Sequence, residues 1–226
     1  MIITIDGPAA SGKGMLTRNL ASALGYASLD TGMLYRAVGF LAQEKDIRLD
    51  DEASLAYLCH TLTIEQVYAL DDGRLRGDSA ANAASQVAVF KQVRQALLSL
   101  QQDFAQKPPF GKPGAILDGR DTGTVVCPGA DRKFFLTASL DVRAKRRTEQ
   151  LQGRGESVKY NDILVEMAHR DSRDAARVES PLAPPLGCFY LDTTALDDVA
   201  VLKFALEYIE TGCVPCERMA PIVSLG

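Results

Sequence analysis

The sequence predicts an α/β fold, a parallel sheet with crossover helices, on three observations. The apolar run "MIITIDG" at residues 1–7 ends in a turn and is followed at once by a helical pattern, with Leu16, Leu20, Ala23 and Leu24 at helical spacing. Further short apolar runs, "AILDG", "RKFFLTAS" and "CFYLDTT", then alternate with helical stretches. The first turn, "GPAASGKGM", carries the glycine and lysine spacing of a loop that wraps phosphate.

Each element follows in order. After the first strand and helix, "DTGMLYRAVGFLAQ" opens a second helix with Leu34, Val38 and Leu41 on one face. Residues 46–84 predict a small strand-rich insertion, because "LTIEQVYAL" and "GRLRG" flank Asp71-Asp72-Gly73, a hairpin turn signal. A long helix is expected from about Gln86 to Gln106, its buried stripe formed by Val89, Val93, Leu97, Leu100 and Phe104. "KPPFGKPG" stops it, and "AILDG" forms a buried strand. "RKFFLTAS" is the next strand, followed by helices near 141–152 and 160–178, the strand "CFYLDTT", and a last helix near 197–210.

A chain of 226 residues suits one domain with a small inserted subdomain. Its 46% apolar and 24% charged residues are ordinary for a globular protein. No apolar run reaches membrane-spanning length and Met1 leads straight into a strand, so a cytoplasmic protein without a membrane partner is expected. The net charge of −4 disfavours a nucleic-acid coat. Basic residues nevertheless crowd between Arg120 and Arg177, which suggests a small, highly anionic ligand. Five cysteines do not make a disulfide framework. Cys59, Cys127 and Cys188 read as reduced core thiols, and the lone Cys213-x-x-Cys216 pair reads as coincidence in a tail spanning 211–226.

The loop comprises Gly7, Pro8, Ala9, Ala10, Ser11, Gly12, Lys13, Gly14 and Met15. Glycines let backbone N–H groups turn toward an anion, the helix behind presents its positive end, and Lys13 reaches the terminal phosphates of a triphosphate. The general signature places Ser or Thr after the lysine, where this chain has Gly14; the run Gly12-Lys13-Gly14 resembles nucleoside monophosphate kinases, which usually carry Thr next, and Met15 stands in that place. One side-chain hydrogen bond to phosphate is therefore expected to be lost, at a cost of about 1–2 kcal/mol.

"LDTGMLYR", "ANAASQVAVFKQVRQAL", "LDGRDTGTVV", "RAKRR", "HRDSRDAARVESPL" and "LDTT" stand in the order of the motifs of bacterial cytidylate kinase. With the loop they make the chain resemble that family, a branch of the P-loop nucleoside monophosphate kinases, from the first strand to about residue 210. The resemblance implies a P-loop NTPase fold: a single domain over 1–226 with a nucleotide-binding insertion at about 46–84 and a lid at about 146–160. It implies transfer of phosphate from Mg²⁺-ATP to CMP or dCMP. A monomer with small-molecule partners is expected. The protein itself supplies no dedicated metal ligands, so Mg²⁺ leans on water and phosphate oxygens.

Arg36, one turn into the helix opened by Thr31-Gly32, suits an acceptor phosphate, and Thr31 can cap that helix and donate to the same phosphate. Arg120 closes a strand beside Asp121, whose carboxylate matches the exocyclic amine of cytosine. Uracil offers a carbonyl there and should be rejected. Arg170, Asp174 and Arg177 fall at one-face helical spacing. The resemblance assigns Arg170 and Asp174 to the sugar hydroxyls, Arg177 to phosphate, and Arg94 with Ser85 to the pyrimidine. It also marks Arg143, Arg146 and Arg147 as lid arginines that neutralise the moving phosphoryl group, so Lys13, Arg146 and Arg147 are the expected catalytic residues. A solvated helix face explains Arg143 equally well. Two other readings stay open: a kinase for another small acceptor, and a nucleotide-binding module without turnover, in which Met15 marks a degenerate loop.

Overall fold

The computed structural model of the protein describes residues 1–70, 73, 75, 78–178 and 180–213. In chain order the elements are β1 (Ile2–Asp6), α1 (Lys13–Leu24), β2 (Ala27–Asp30), α2 (Thr31–Glu44), α3 (Glu52–His60), α4 (Ile64–Ala69), α5 (Asp78–Val87), α6 (Lys91–Gln106), β3 (Ala115–Gly119), β4 (Arg132–Thr137), α7 (Leu140–Gln152), α8 (Tyr160–Ala175), β5 (Phe189–Asp192) and α9 (Asp198–Thr211). The chain divides into two compact units, one of residues 1–28 with 112 onward, the other of residues 29–111.

The first unit is built on the sheet, ordered β2-β3-β1-β4-β5 with β2 at the unit boundary. The pairings β1–β3, β1–β4 and β4–β5 are parallel. β1 lies at the centre, and Ile3, Thr4, Ile5 and Asp6 are wholly inaccessible, as expected for a strand covered on both faces. β5 is an edge and alternates buried with exposed positions. Ile3 and Ile5 pack with Leu16 and Leu20 of α1, Phe134 and Leu136 of β4, Phe189 of β5, and Tyr208 and Ile209 of α9. The rings of Phe134 and Tyr208 meet edge to face at 5.1 Å. A smaller cluster of Ala144, Leu151, Ile163 and Met167 joins α7 to α8 and reaches Ala9 and Ala10 of the loop.

The second unit is helical. α2 packs on α5, and α3 on α6. Gly39 allows the first of these contacts, since a Cβ there would lie 2.7 Å from the Cβ of Ala83.

Three expectations are corrected here. Residues 64–69, read as part of a strand, form α4, begun by a capping box in which Thr63 and Gln66 satisfy each other's backbone N–H groups. Asp51 caps α3 in the same region by accepting from the N–H of Ser54. Among the described residues the stretch 46–84 therefore carries helices where strands were expected. Of the hairpin signal, Asp71 and Asp72 lie outside the described residues. The long helix at 86–106 is two helices, because Phe90 is extended (φ −80°, ψ 127°) and resets the helical phase. Val93 and Leu97 are buried as expected, whereas Val89 is 66% exposed. The third concerns Arg177, which lies beyond the end of α8 at Ala175 rather than on its face.

Candidate active site

The loop leaves β1 at the carboxyl edge of the sheet, where open α/β sheets present their ligand sites. Gly7 cannot be replaced: its φ is +148° and a Cβ would stand 1.9 Å from the carbonyl oxygen of Leu136. Gly12, also left-handed at φ 96°, begins α1, and its carbonyl takes the first helical hydrogen bonds from Met15 and Leu16. Lys13 is 6% exposed and its Nζ donates to the carbonyl of Pro8 at 2.8 Å, which bends the side chain back over the loop. A neutral carbonyl partner of this kind is exchangeable for a stronger, charge-assisted bond to phosphate. Met15 faces a groove along α1 that it lines with Leu16, Leu196, Val201, Thr193 and Arg146.

Asp6 ends β1 and holds the neighbouring segment in place. Its carboxylate accepts from the N–H and hydroxyl of Thr122, both at 2.8 Å, and from the N–H of Gly123 at 2.7 Å. Burial pushes its carboxyl above the usual range despite these bonds. The register that pairs Asp6 with Gly119 sets the loop on β1 beside Arg120 and Asp121 after β3.

Asp174 organises the basic cluster. Arg120 Nε donates to it at 2.8 Å, and Arg177 donates to its other oxygen. Burial alone would raise the Asp174 carboxyl, but the charges of Arg120 and Arg177, the hydrogen bond from Arg120 and the nearby charge of Arg170 outweigh it and hold the group below its ordinary range. Three guanidiniums around one carboxylate leave net positive charge, as an anion site requires.

In the second unit, Asp30 and not Thr31 caps α2: its side chain accepts from the N–H of Gly32 at 2.9 Å. Thr31 is the first residue of the helix and is buried. The other oxygen of Asp30 pairs with Arg36 at 2.5 Å, so one carboxylate both starts the helix and aims the arginine. Arg94 lies over the Tyr35 ring, 5.7 Å from its centre, with a longer contact of 3.4 Å to the Ala88 carbonyl. Ser85 is half-buried on α5.

The three arginines of α7 differ although they share a face. Arg143, expected in a lid, is 6% exposed, pairs with Asp171 of α8 at 2.7 Å, and donates to the Ala138 carbonyl at 2.8 Å. It is a structural tie between α7, α8 and the end of β4. Arg146 donates to the hydroxyl and carbonyl oxygens of Thr193 at 3.0 and 2.8 Å, at the rim of the Met15 groove. Arg147 donates to Gln150 at the surface.

Sequence reasoning gave no role to Asp6, Asp30, Thr17, Asp171 or Thr193. For Asp30 and Thr193 a signal existed, since "LDTG" and "LDTT" contain them. The pairing of Arg143 with Asp171 depends on helix packing and has no local signature.

Cys59 is buried as expected of a core thiol, whereas Cys127 and Cys188 are half-buried. Burial pushes the Cys59 thiol up to about 12 and those of Cys127 and Cys188 up to about 11, and none of the described cysteines is bridged. Cys216 lies outside the described residues. No helix among the described residues is long and apolar enough to cross a membrane.

Among the described residues, no group of three or more His, Cys, Asp or Glu could hold a metal ion. Asp118 and Thr17 do present hard oxygen atoms beside the loop, 3.2 Å apart. That sparse oxygen set fits a cation such as Mg²⁺, which keeps its waters and binds through phosphate oxygens with one or two carboxylates.

A family model described as Cytidylate kinase matches residues 3–211. The cytidylate kinase of Rhodospirillum rubrum is 47% identical over 209 residues, 92% of this chain and 97% of that protein. That of Xanthobacter autotrophicus is 48% identical over 210 residues, 93% of this chain and 97% of that protein. In fold, the chain is similar to the crystal structure of an uncharacterized protein from Eubacterium ventriosum, with a TM-score of 0.53 at 12% identity over 93% of this chain and 99% of that one.

Proposed function

The chain belongs to the cytidylate kinase family, and from that premise we infer how its residues carry out the transfer. The protein is a P-loop kinase of pyrimidine metabolism that phosphorylates CMP and dCMP to the diphosphates at the expense of ATP. The observation that supports the residue assignment best is the pairing of two anion-binding devices at one sheet edge. Lys13 lies in its loop on β1, and the Arg120–Asp174–Arg177 cluster reaches the end of adjacent β3.

In this reading Lys13 and the loop backbone from Gly7 to Met15 bind the ATP phosphates. The groove beside Met15 takes the donor base: Leu196 and Val201 supply apolar walls, and Arg146 offers a guanidinium face. This explains why the apolar Met15 is tolerated where nucleoside monophosphate kinases usually carry Thr. Mg²⁺, held through Asp118 and water, would supply charge neutralisation between the donor phosphates. Arg36, Thr31, Arg120 and Arg177 hold the acceptor phosphate, Arg170 and Asp174 the sugar, and Ser85, Arg94 and Asp121 the cytosine. Arg146 and Arg147 of α7 neutralise the moving phosphoryl group together with Lys13. No general base is required, because positioning and electrostatics carry most of the barrier reduction in phosphoryl transfer.

We also propose a monomer acting in the cytoplasm, with the segment at about 146–160 serving as lid and that at about 46–84 as acceptor-binding insertion.

Base selection by Asp121 is tested with Asp121→Asn. An amide can offer its N–H₂ to the uracil carbonyl as readily as its oxygen to the cytosine amine. The ratio of kcat/KM for CMP over UMP should fall by about 10- to 100-fold, the loss expected when a charged hydrogen-bond partner is removed. An unchanged ratio would assign base reading elsewhere.

A further inference from the structure

Thr193 follows directly on β5 and is 2% exposed. Its hydroxyl meets partners from three separate segments. Arg146 Nη1 of α7 donates to it at 3.0 Å, and it donates to the carbonyls of Ser11 in the loop and Thr137 at the end of β4, each at 3.1 Å. One proton serves both carbonyls as a three-centre bond. Arg146 Nη2 donates to the Thr193 carbonyl at 2.8 Å, so a single residue holds both terminal nitrogens of the guanidinium. The Thr193 N–H donates to the same Thr137 carbonyl at 2.8 Å, so the chain is tied to β4 here without help from the hydroxyl. Both acceptors for Arg146 are neutral and fix the guanidinium without cancelling its charge. Arg143, one turn earlier, is instead paired with Asp171. Arg146 and Thr193 both line the groove beside Met15.

We propose that Thr193 is a positioning residue that presets Arg146 for the donor nucleotide. Its hydroxyl and carbonyl hold the guanidinium at the rim of the groove, and the same hydroxyl ties the arginine to the phosphate loop through Ser11. A hydroxyl does both at one atom, because it accepts from a guanidinium while donating to a carbonyl. Arg146 is therefore in place before ATP arrives, and its long side chain loses less freedom on binding. A guanidinium already oriented stabilises charge without having to reorganise. Thr193 itself does not touch the reacting atoms. The proposal rests on the reading of the loop and groove as the donor site.

The test is steady-state kinetics with varied Mg²⁺-ATP at saturating CMP for the wild type, Thr193→Val, Thr193→Ser, Arg146→Ala and the double variant T193V/R146A, together with calorimetric binding of CMP alone. For T193V, kcat/KM for ATP should fall by about 10-fold, the loss expected for one hydrogen bond to a charged group, while CMP binding stays at the wild-type value. T193S should recover most of the loss. R146A should be impaired at least as much, and adding T193V to it should cost nothing further, because Thr193 acts through that arginine. A wild-type kcat/KM in T193V would overturn the proposal. So would a T193V loss that persists in full on the R146A background, or one matched by equal weakening of CMP binding, since these indicate only a structural staple. R146A with wild-type kcat/KM for ATP would overturn the donor-site reading of Arg146 together with the proposal. The wild type alone gives a further readout: without nucleotide, ¹⁵N NMR should resolve the two Nη signals of Arg146, as for a guanidinium held at both ends. A single averaged signal would overturn the proposal even if T193V fails to fold.

Discussion

Asp174 shows how one side chain sets the chemistry of its neighbours. It is 2% exposed, yet it is charged because Arg120 and Arg177 bond to it and Arg170 lies close by. Replacing it with asparagine leaves two partly buried guanidiniums facing a neutral group, and breaking a buried pair from one side costs roughly 3–5 kcal/mol. The sign of its pH dependence follows from the lowered pKa. The contribution is complete above the ordinary aspartate value of about 3.9 and is lost as pH falls through the lowered folded-state value. Denaturant unfolding of wild type and Asp174→Asn should therefore differ most near neutrality and converge as pH drops below about 4. A difference that is constant with pH would mean that the ion pairs are not its source. At this scale most of the candidate site was legible in the sequence, because arginines and aspartates in anion-binding motifs are chosen for their charge. What was not legible was which arginine is already engaged. Arg143 and Arg147 are four residues apart on α7 and indistinguishable by spacing, but only the first meets Asp171 across α8.

At the level of elements, local signals competed with one another. "LTIEQVYAL" alternates apolar and polar residues as a strand does, yet Thr63 and Gln66 form a capping box inside it and the segment is helical. The break between α5 and α6 was likewise hidden, since Val87, Val89 and Val93 give no sign of the extended Phe90 between them. The strands β1, β3, β4 and β5 were visible as short apolar runs bounded by turns, whereas β2, with only Ala27 and Leu29 as its apolar residues, was too short to stand out. The packing of α2 on α5 shows a constraint that no local pattern reveals. Gly39→Ala would press a methyl group to within 2.7 Å of the Ala83 Cβ and should cost about 1–3 kcal/mol as the helices shift. The midpoint of urea unfolding should fall with little change in slope, and adding Ala83→Gly should recover part of the loss. No change in midpoint would show that the contact is looser than described.

At the scale of the whole molecule, a chain with a net charge of −4 concentrates its positive side chains around a carboxylate and a glycine-rich loop. Long-range charge therefore disfavours polyanions, while the local field favours a small one. The fold class followed from the order of strands and helices, and the family likeness covers residues 3–211. Which compact unit each helix joins did not follow from pattern, because spacing within a helix carries no information on that choice. The central claim, a phosphotransferase selective for cytidylate, is tested most directly by coupled ADP release with Mg²⁺-ATP against CMP, dCMP, UMP, AMP and GMP. Strong turnover is expected with CMP and dCMP and little with the other three. Comparable release with every acceptor, or none with CMP and dCMP, would contradict it.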